Sequence, residues 1–179
     1  MANSYNDFSL SFSHFVNPNS HLGSDYEHQD ILSLDGFRLA NKEITSWDNY
    51  LPTPLHSFDD MAQDTGVSSI FYKDENPRFT LKSFKALGGA YAVANLLIKK
   101  LKEEGINANS SDLISGKYKE YTSNLTVCCA TDGNHGRSVA WGAKQFGCKC
   151  EIYIHRNVSQ GRERAIAKYG AIVNRIKGN

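Results

Sequence analysis

At 179 residues, with 40% hydrophobic and 22% charged residues, the chain has the size of one ordinary globular domain or a piece of a larger one. Lys and Arg number 20 against 19 Asp and Glu, a formal net charge of +1 with the basic residues dispersed, which argues against nucleic acid as a partner. No apolar run approaches the length of a membrane span, and MANSYNDFSLSF at the N-terminus carries neither a positive nor a continuous apolar signal region, so no membrane partner is expected and a cytoplasmic protein is the simplest reading.

Residues 1–49 are polar and rich in Asn, Ser, Asp and His. They read as an N-terminal extension with little regular structure, in which Phe8, Phe12, Phe15 and Trp47 are candidates to clip it onto a folded body. The ordered part is expected over 50–179. Two prolines in Tyr50-Leu51-Pro52-Thr53-Pro54-Leu55 favour an extended lead-in, and Ser69 to Lys73 has the β-branched and aromatic content of a strand.

From Phe84 the apolar positions Leu87, Tyr91, Ala94, Ile98 and Leu101 step by three and four, which predicts an amphipathic helix of about five turns closing before Gly105. Ser83 is the candidate N-cap, with Ala86 standing where a capping box would need Glu or Gln. The stretch from Ile106 to Asn124, rich in Ser, Asn and Lys, reads as a surface insertion. A strand at Leu125 to Ala130 and a glycine-rich turn at Asp132 to Gly136 then lead into a helix from about Arg137 to Phe146. A further strand at Glu151 to Ile154 and a helix at Gln160 to Tyr169 follow, and another strand opens at Ala171. Strands alternating with helices across short turns predict an α/β fold, three-layer αβα with a mainly parallel sheet. Cys128, Cys129, Cys148 and Cys150 lie in or beside these strands. They lack the usual zinc or redox spacing and are expected to be buried, without metal or disulfide.

Ligands of open α/β sheets sit beyond the carboxyl ends of strands, where turns lead into helix N-termini. Ser83 to Gly89 places Lys85 in the first turn of a helix, where the positive end of the macrodipole is a poor site for a cation and a good one for a nucleophilic amine. Gly88 and Gly89 lower helix stability by roughly 1 kcal/mol each, which makes sense if a backbone or a flat ligand comes close. A solvated lysine at a helix start is the plainer alternative. In Thr131 to Gly136, Asn134 offers an amide donor and Asp132 a carboxylate near helix-terminal N–H groups; the plainer alternative there is a turn with an N-cap.

YLPTPL at Tyr50 to Leu55, SFKALGG at Ser83 to Gly89 and TDGNHG at Thr131 to Gly136 occur in the order seen in fold-type II pyridoxal-phosphate enzymes, the tryptophan-synthase-β family, and the chain resembles that family from about Tyr50 onward. The longer stretches NPRFTLKSFKALGGAYA and ATDGNHGRSVAW, with Asp132 where most members have a small residue, look like the diaminopropionate ammonia-lyase branch. The resemblance implies pyridoxal 5′-phosphate as cofactor, bound covalently by Lys85 and hydrogen-bonded at its ring hydroxyl oxygen by Asn134. It implies α,β-elimination of 2,3-diaminopropionate to pyruvate and ammonia, with Lys85 and Asp132 as bases on opposite faces of the substrate, which would admit both enantiomers. Family members are commonly dimers, so a homodimer is the implied assembly.

The family's catalytic unit is longer, and its later half carries the glycine-rich loop for the cofactor phosphate. No glycine-rich run follows Gly147, so the chain is expected to be a fragment or a short gene product. Two readings of different class stay open: an enzyme, or its cofactor-lysine part, including a related serine or threonine dehydratase; and a non-catalytic remnant acting through protein contacts.

Overall fold

The computed structural model describes residues 15–18 and 31–177. The described residues fall into two compact units, those within Met1–Arg38 and Pro54–Asp74 and those within Leu39–Thr53 and Glu75–Asn179. No described helix is long and apolar enough to cross a membrane.

In the smaller unit, β1 (Leu55–Ser57) and β2 (Phe71–Lys73) pair antiparallel, Leu55 opposite Lys73 and Ser57 opposite Phe71. Between them α2 (Asp59–Thr65) ends on Gly66, whose φ of 71° is the left-handed C-cap that favours glycine. The His56 ring stacks with those of Phe58 and Tyr72, which are tilted to each other.

The larger unit holds a parallel sheet in the order β3-β4-β5: β3 (Thr126–Ala130), β4 (Lys149–His155) and β5 (Ile172–Ile176). Helices α6 (Asn134–Phe146) and α7 (Gln160–Ala167) cross between these strands. The alternation of helices with parallel strands is therefore that expected of an αβα fold. β4 alternates: Cys150, Ile152 and Ile154 are buried, while Glu151, Tyr153 and His155 are half-exposed. A Cβ on Gly136 of α6 would come within 3.0 Å of Ile152, so the buried face of β4 is the one under α6. The cysteines are a correction: Cys128, in register with Glu151 on the opposite face, is exposed, Cys129 and Cys148 are half-buried, and Cys150 alone is buried.

α3 (Lys85–Glu103) runs the length that its periodicity predicts; of the expected stripe Ala94 and Leu101 are buried and Leu87, Tyr91 and Ile98 are half-buried against the core, but the fully buried face is shifted toward small residues in its first half. Ala86, Gly89, Ala90, Val93, Ala94, Leu97 and Leu101 face inward, while Phe84 stays 59% exposed. The reason is the close approach of α6: a Cβ on Gly89 would lie 2.5 Å from Ser138 Oγ, and one on Gly142 2.8 Å from Ala90 Cα. Small residues occupy the first half of that face, from Ala86 to Ala90, because only they let two helices touch backbone to backbone.

Two stretches read as irregular are ordered. α1 (Leu34–Thr45) occupies part of the expected extension, and Trp47 just after it is 2% exposed among Phe79, Trp141 and Phe146. Trp47 thus clips as expected, Phe15 is 87% exposed, and Phe8 and Phe12 lie outside the described residues. The expected surface insertion instead carries α4 (Ser110–Ile114) and α5 (Lys119–Thr122) and buries Ser110, Leu113 and Thr122. Ser110 Oγ accepts from Trp47 Nε1 at 3.1 Å and pairs with Glu43, so this segment is part of the core.

Candidate functional site

Lys85 is the first residue of α3 and is exposed, its Nζ 4.8 Å from the centre of the Phe84 ring. The cap here differs from expectation: Phe84 occupies the N-cap position, and Ser83 Oγ accepts from the Lys85 N–H at 3.2 Å. Ser83 still satisfies a helix-terminal donor, one residue earlier than the usual geometry.

The second turn starts its helix three residues sooner than expected, so Asn134, His135 and Gly136 form the first turn of α6. The Thr131 hydroxyl accepts from the N–H groups of Gly133 at 3.2 Å and Gly136 at 3.1 Å, and its own N–H donates to Tyr153 O at 2.9 Å. One threonine at the end of β3 therefore both extends the ladder and caps α6. A Cβ on Gly136 would run into the Thr131 methyl, closer than real contacts allow, so glycine is required there by packing. Asp132 and Asn134 are exposed, and the Asp132 carbonyl accepts from Arg162 Nη1 at 3.4 Å. Gly133, Asn134, Arg137, Gly161, Arg162 and Ala165 line a recess of about 120 Å³.

Ser138 brings the two turns together. Its hydroxyl donates to the Lys85 carbonyl at 2.7 Å, which fixes the start of α3 against α6. Asn134 stands four residues before Ser138, on the same helix face and one turn nearer the N-terminus, about 6 Å along the axis. The structure thus gathers Lys85, Asp132 and Asn134 at adjoining helix N-termini, with Gly88 on the exposed side, where a Cβ would meet nothing within 4 Å.

Upstream of Lys85 lies an arrangement that the sequence reading missed. Arg78 is 6% exposed; its Nε donates to Glu75 Oε2 at 2.8 Å, Nη2 to Glu75 Oε1 and Thr53 Oγ1 at 3.0 Å each, and Nη1 to Leu51 O at 3.1 Å. Thr53 Oγ1 in turn donates to Glu75 Oε1 at 2.6 Å, and the Tyr50 ring lies 5.6 Å from the guanidinium carbon. The hydrogen bond to Glu75 leads the effects that strengthen Arg78's hold on its proton. Immediately after it, Phe79, Thr80 and Lys82 take φ of 45°, 60° and 53°. Left-handed backbone costs a residue bearing a Cβ roughly 1–2 kcal/mol. Burial of Phe79 among Tyr50, Trp47 and Trp141, and of Leu81, offsets that cost.

An amine able to condense with an aldehyde, an amide able to donate to a ring oxygen and open space over Gly88 form a donor set that suits a flat aldehyde cofactor. Residues 47–179 match the family described as pyridoxal-phosphate dependent enzyme. Diaminopropionate ammonia-lyase of Escherichia coli K12 is 40% identical over 145 residues, 81% of this chain and 35% of that protein. The crystal structure of the holo form of the Escherichia coli enzyme superposes with a TM-score of 0.68 at 38% identity, covering 79% of this chain and 35% of the other. Its complex with D-serine matches with the same score, identity and coverage. The chain spans about a third of the length of the curated relatives it matches.

Proposed function

Because the chain belongs to the pyridoxal-phosphate-dependent enzyme family, we propose that it supplies the cofactor-lysine side of an enzyme that eliminates ammonia from 2,3-diaminopropionate to give pyruvate. The observation that carries this reading is the Ser138 to Lys85 hydrogen bond, which sets Lys85 beside the Asp132–Gly136 turn. Likeness to diaminopropionate ammonia-lyase over 81% of the chain supports the substrate.

In this reading Lys85 Nζ would hold the aldehyde carbon of pyridoxal 5′-phosphate and Asn134 would donate to the oxygen of its ring hydroxyl. The cofactor, when bound, supplies a conjugated ring that takes up the electron pair released at the substrate α carbon. Once the substrate amine has displaced it, the free Lys85 amine would accept the α proton from one enantiomer, and the Asp132 carboxylate would accept it from the other. The β-amino group leaves, and the product enamine hydrolyses without help from the protein. Residues 50–179 belong to the catalytic domain and 1–49 precede it. A small amino acid is the partner, a homodimer the assembly and the cytoplasm the location. The four unpaired cysteines accord with a reducing compartment.

Elimination from serine is the second reading, favoured by the D-serine complex of the structural relative. Pyruvate release from both enantiomers of 2,3-diaminopropionate and of serine, measured on the protein at its natural length, decides between them. Turnover of diaminopropionate well above serine supports the first; no pyruvate from any of the four defeats both.

A further inference from the structure

We propose that Arg78 is a positioning residue for Lys85, acting through its clasp on Glu75, Thr53 and Leu51; this rests on the reading of Lys85 as the cofactor lysine. The chain leaves at Thr53 for residues 54–74 and returns at Glu75, and those two side chains are hydrogen-bonded to each other and to Arg78. Arg78 therefore ties together the two strands of backbone that bracket the excursion. The first residues beyond it are the left-handed Phe79, Thr80 and Lys82, and Lys85 follows.

A tract of sparsely populated conformations persists only where both of its ends are held. The far end is held by Ser83 on the Lys85 N–H and by Ser138 on the Lys85 carbonyl. The near end is held by the clasp. Its chemistry is specific to arginine: three nitrogens spread in a plane make four hydrogen bonds to a carboxylate, a hydroxyl and a carbonyl, where a lysine ammonium would keep the charge without the fork. A loosened clasp lets residues 79–85 sample other backbone states, so Lys85 Nζ spends less time where an aldehyde can be captured.

The test compares wild type with Arg78→Lys and Glu75→Gln in the protein at its natural length. Two quantities are read: amide hydrogen exchange without cofactor, and the rate at which Lys85 captures added pyridoxal phosphate, trapped by borohydride and mapped by peptide mass. Arg78→Lys is expected to raise exchange over residues 79–85 about tenfold or more while α6 and β4 keep their protection. Capture at Lys85 should slow by roughly tenfold to a hundredfold. Glu75→Gln, which keeps the arginine and one acceptor oxygen, should fall between the two and serves in place of Arg78→Lys if that variant does not fold. Unchanged exchange over 79–85, or a uniform rise that includes α6 and β4, would overturn the proposal. Should wild type capture no cofactor at Lys85, the reading of Lys85 fails, and the exchange pattern still decides whether the clasp orders the tract.

Discussion

The hydroxyl of Ser138 donates to the carbonyl of Lys85 at 2.7 Å, and one turn further along α3 a Cβ on Gly89 would lie 2.5 Å from that same hydroxyl oxygen. Gly89→Ala is therefore expected to destabilise the fold by about 1–3 kcal/mol, since Ser138 Cβ at 2.9 Å cannot move without moving α6. Ser138→Gly in the same chain removes both close atoms but also the hydrogen bond to Lys85, so it should recover only part of that loss. Gly88→Ala, with open space around it, should stabilise the fold by about 0.5–1 kcal/mol. Urea unfolding of wild type and the three variants gives the comparison, and equal effects of the two alanines would contradict the packing described.

Thr131 and Gly136 are coupled in the same way at the start of α6. Thr131→Val keeps the shape and removes the acceptor for two N–H groups, with an expected loss of about 1–3 kcal/mol. Gly136→Ala should cost at least as much, because its methyl would meet both Thr131 and Ile152. A Thr131→Val protein as stable as wild type would mean that water satisfies the turn and the cap is dispensable.

The thiols are predicted to react in order of exposure. Burial pushes Cys148 up to about 11 and Cys150 up to about 12, while Cys128 is exposed. The fold favours the two neutral thiols, so their contribution to stability is whole below the ordinary value of 9.0 and is lost as pH rises through about 11 and about 12. Alkylation at pH 8 followed by peptide mapping should find Cys128 modified first and Cys150 last. Rapid modification of Cys150 in the folded protein would show that β4 opens.

Asp132→Asn tests the second base. In the protein at its natural length the substitution should leave cofactor capture by Lys85 intact and reduce elimination from the D enantiomer of 2,3-diaminopropionate far more than from the L. A drop of equal size for both enantiomers would remove Asp132 from that role.

What the sequence made legible follows from where its signals are local. The positions of α3, β4 and α7 come from periodicity and glycine stops, and Gly147 at φ 76° ends α6 where the pattern says it should. Lys85, Asp132 and Asn134 were legible as neighbours of helix starts. The start of α6 was not, because two glycines in four residues resemble a loop until the Thr131 hydroxyl is seen taking their N–H groups. α4 and α5 were hidden by Ser, Asn and Lys surrounding the few residues, Leu113 above all, that reach the core. The Arg78 clasp was hidden by distance: Glu75 at three residues reads as an ordinary surface pair, and the partners that show it to be buried stand 25 and 27 residues upstream.

Lys85 is proposed as the residue that binds pyridoxal phosphate covalently, and reductive trapping tests this at the residue itself. The protein at its natural length is incubated with the cofactor, reduced with borohydride, digested and mapped by mass, beside Lys85→Ala. The pyridoxyl group is expected on the peptide containing Lys85, stoichiometric in wild type, with no site labelled to that extent in Lys85→Ala. Stoichiometric label on another lysine, such as Lys82, or equal labelling of the alanine variant, would contradict it.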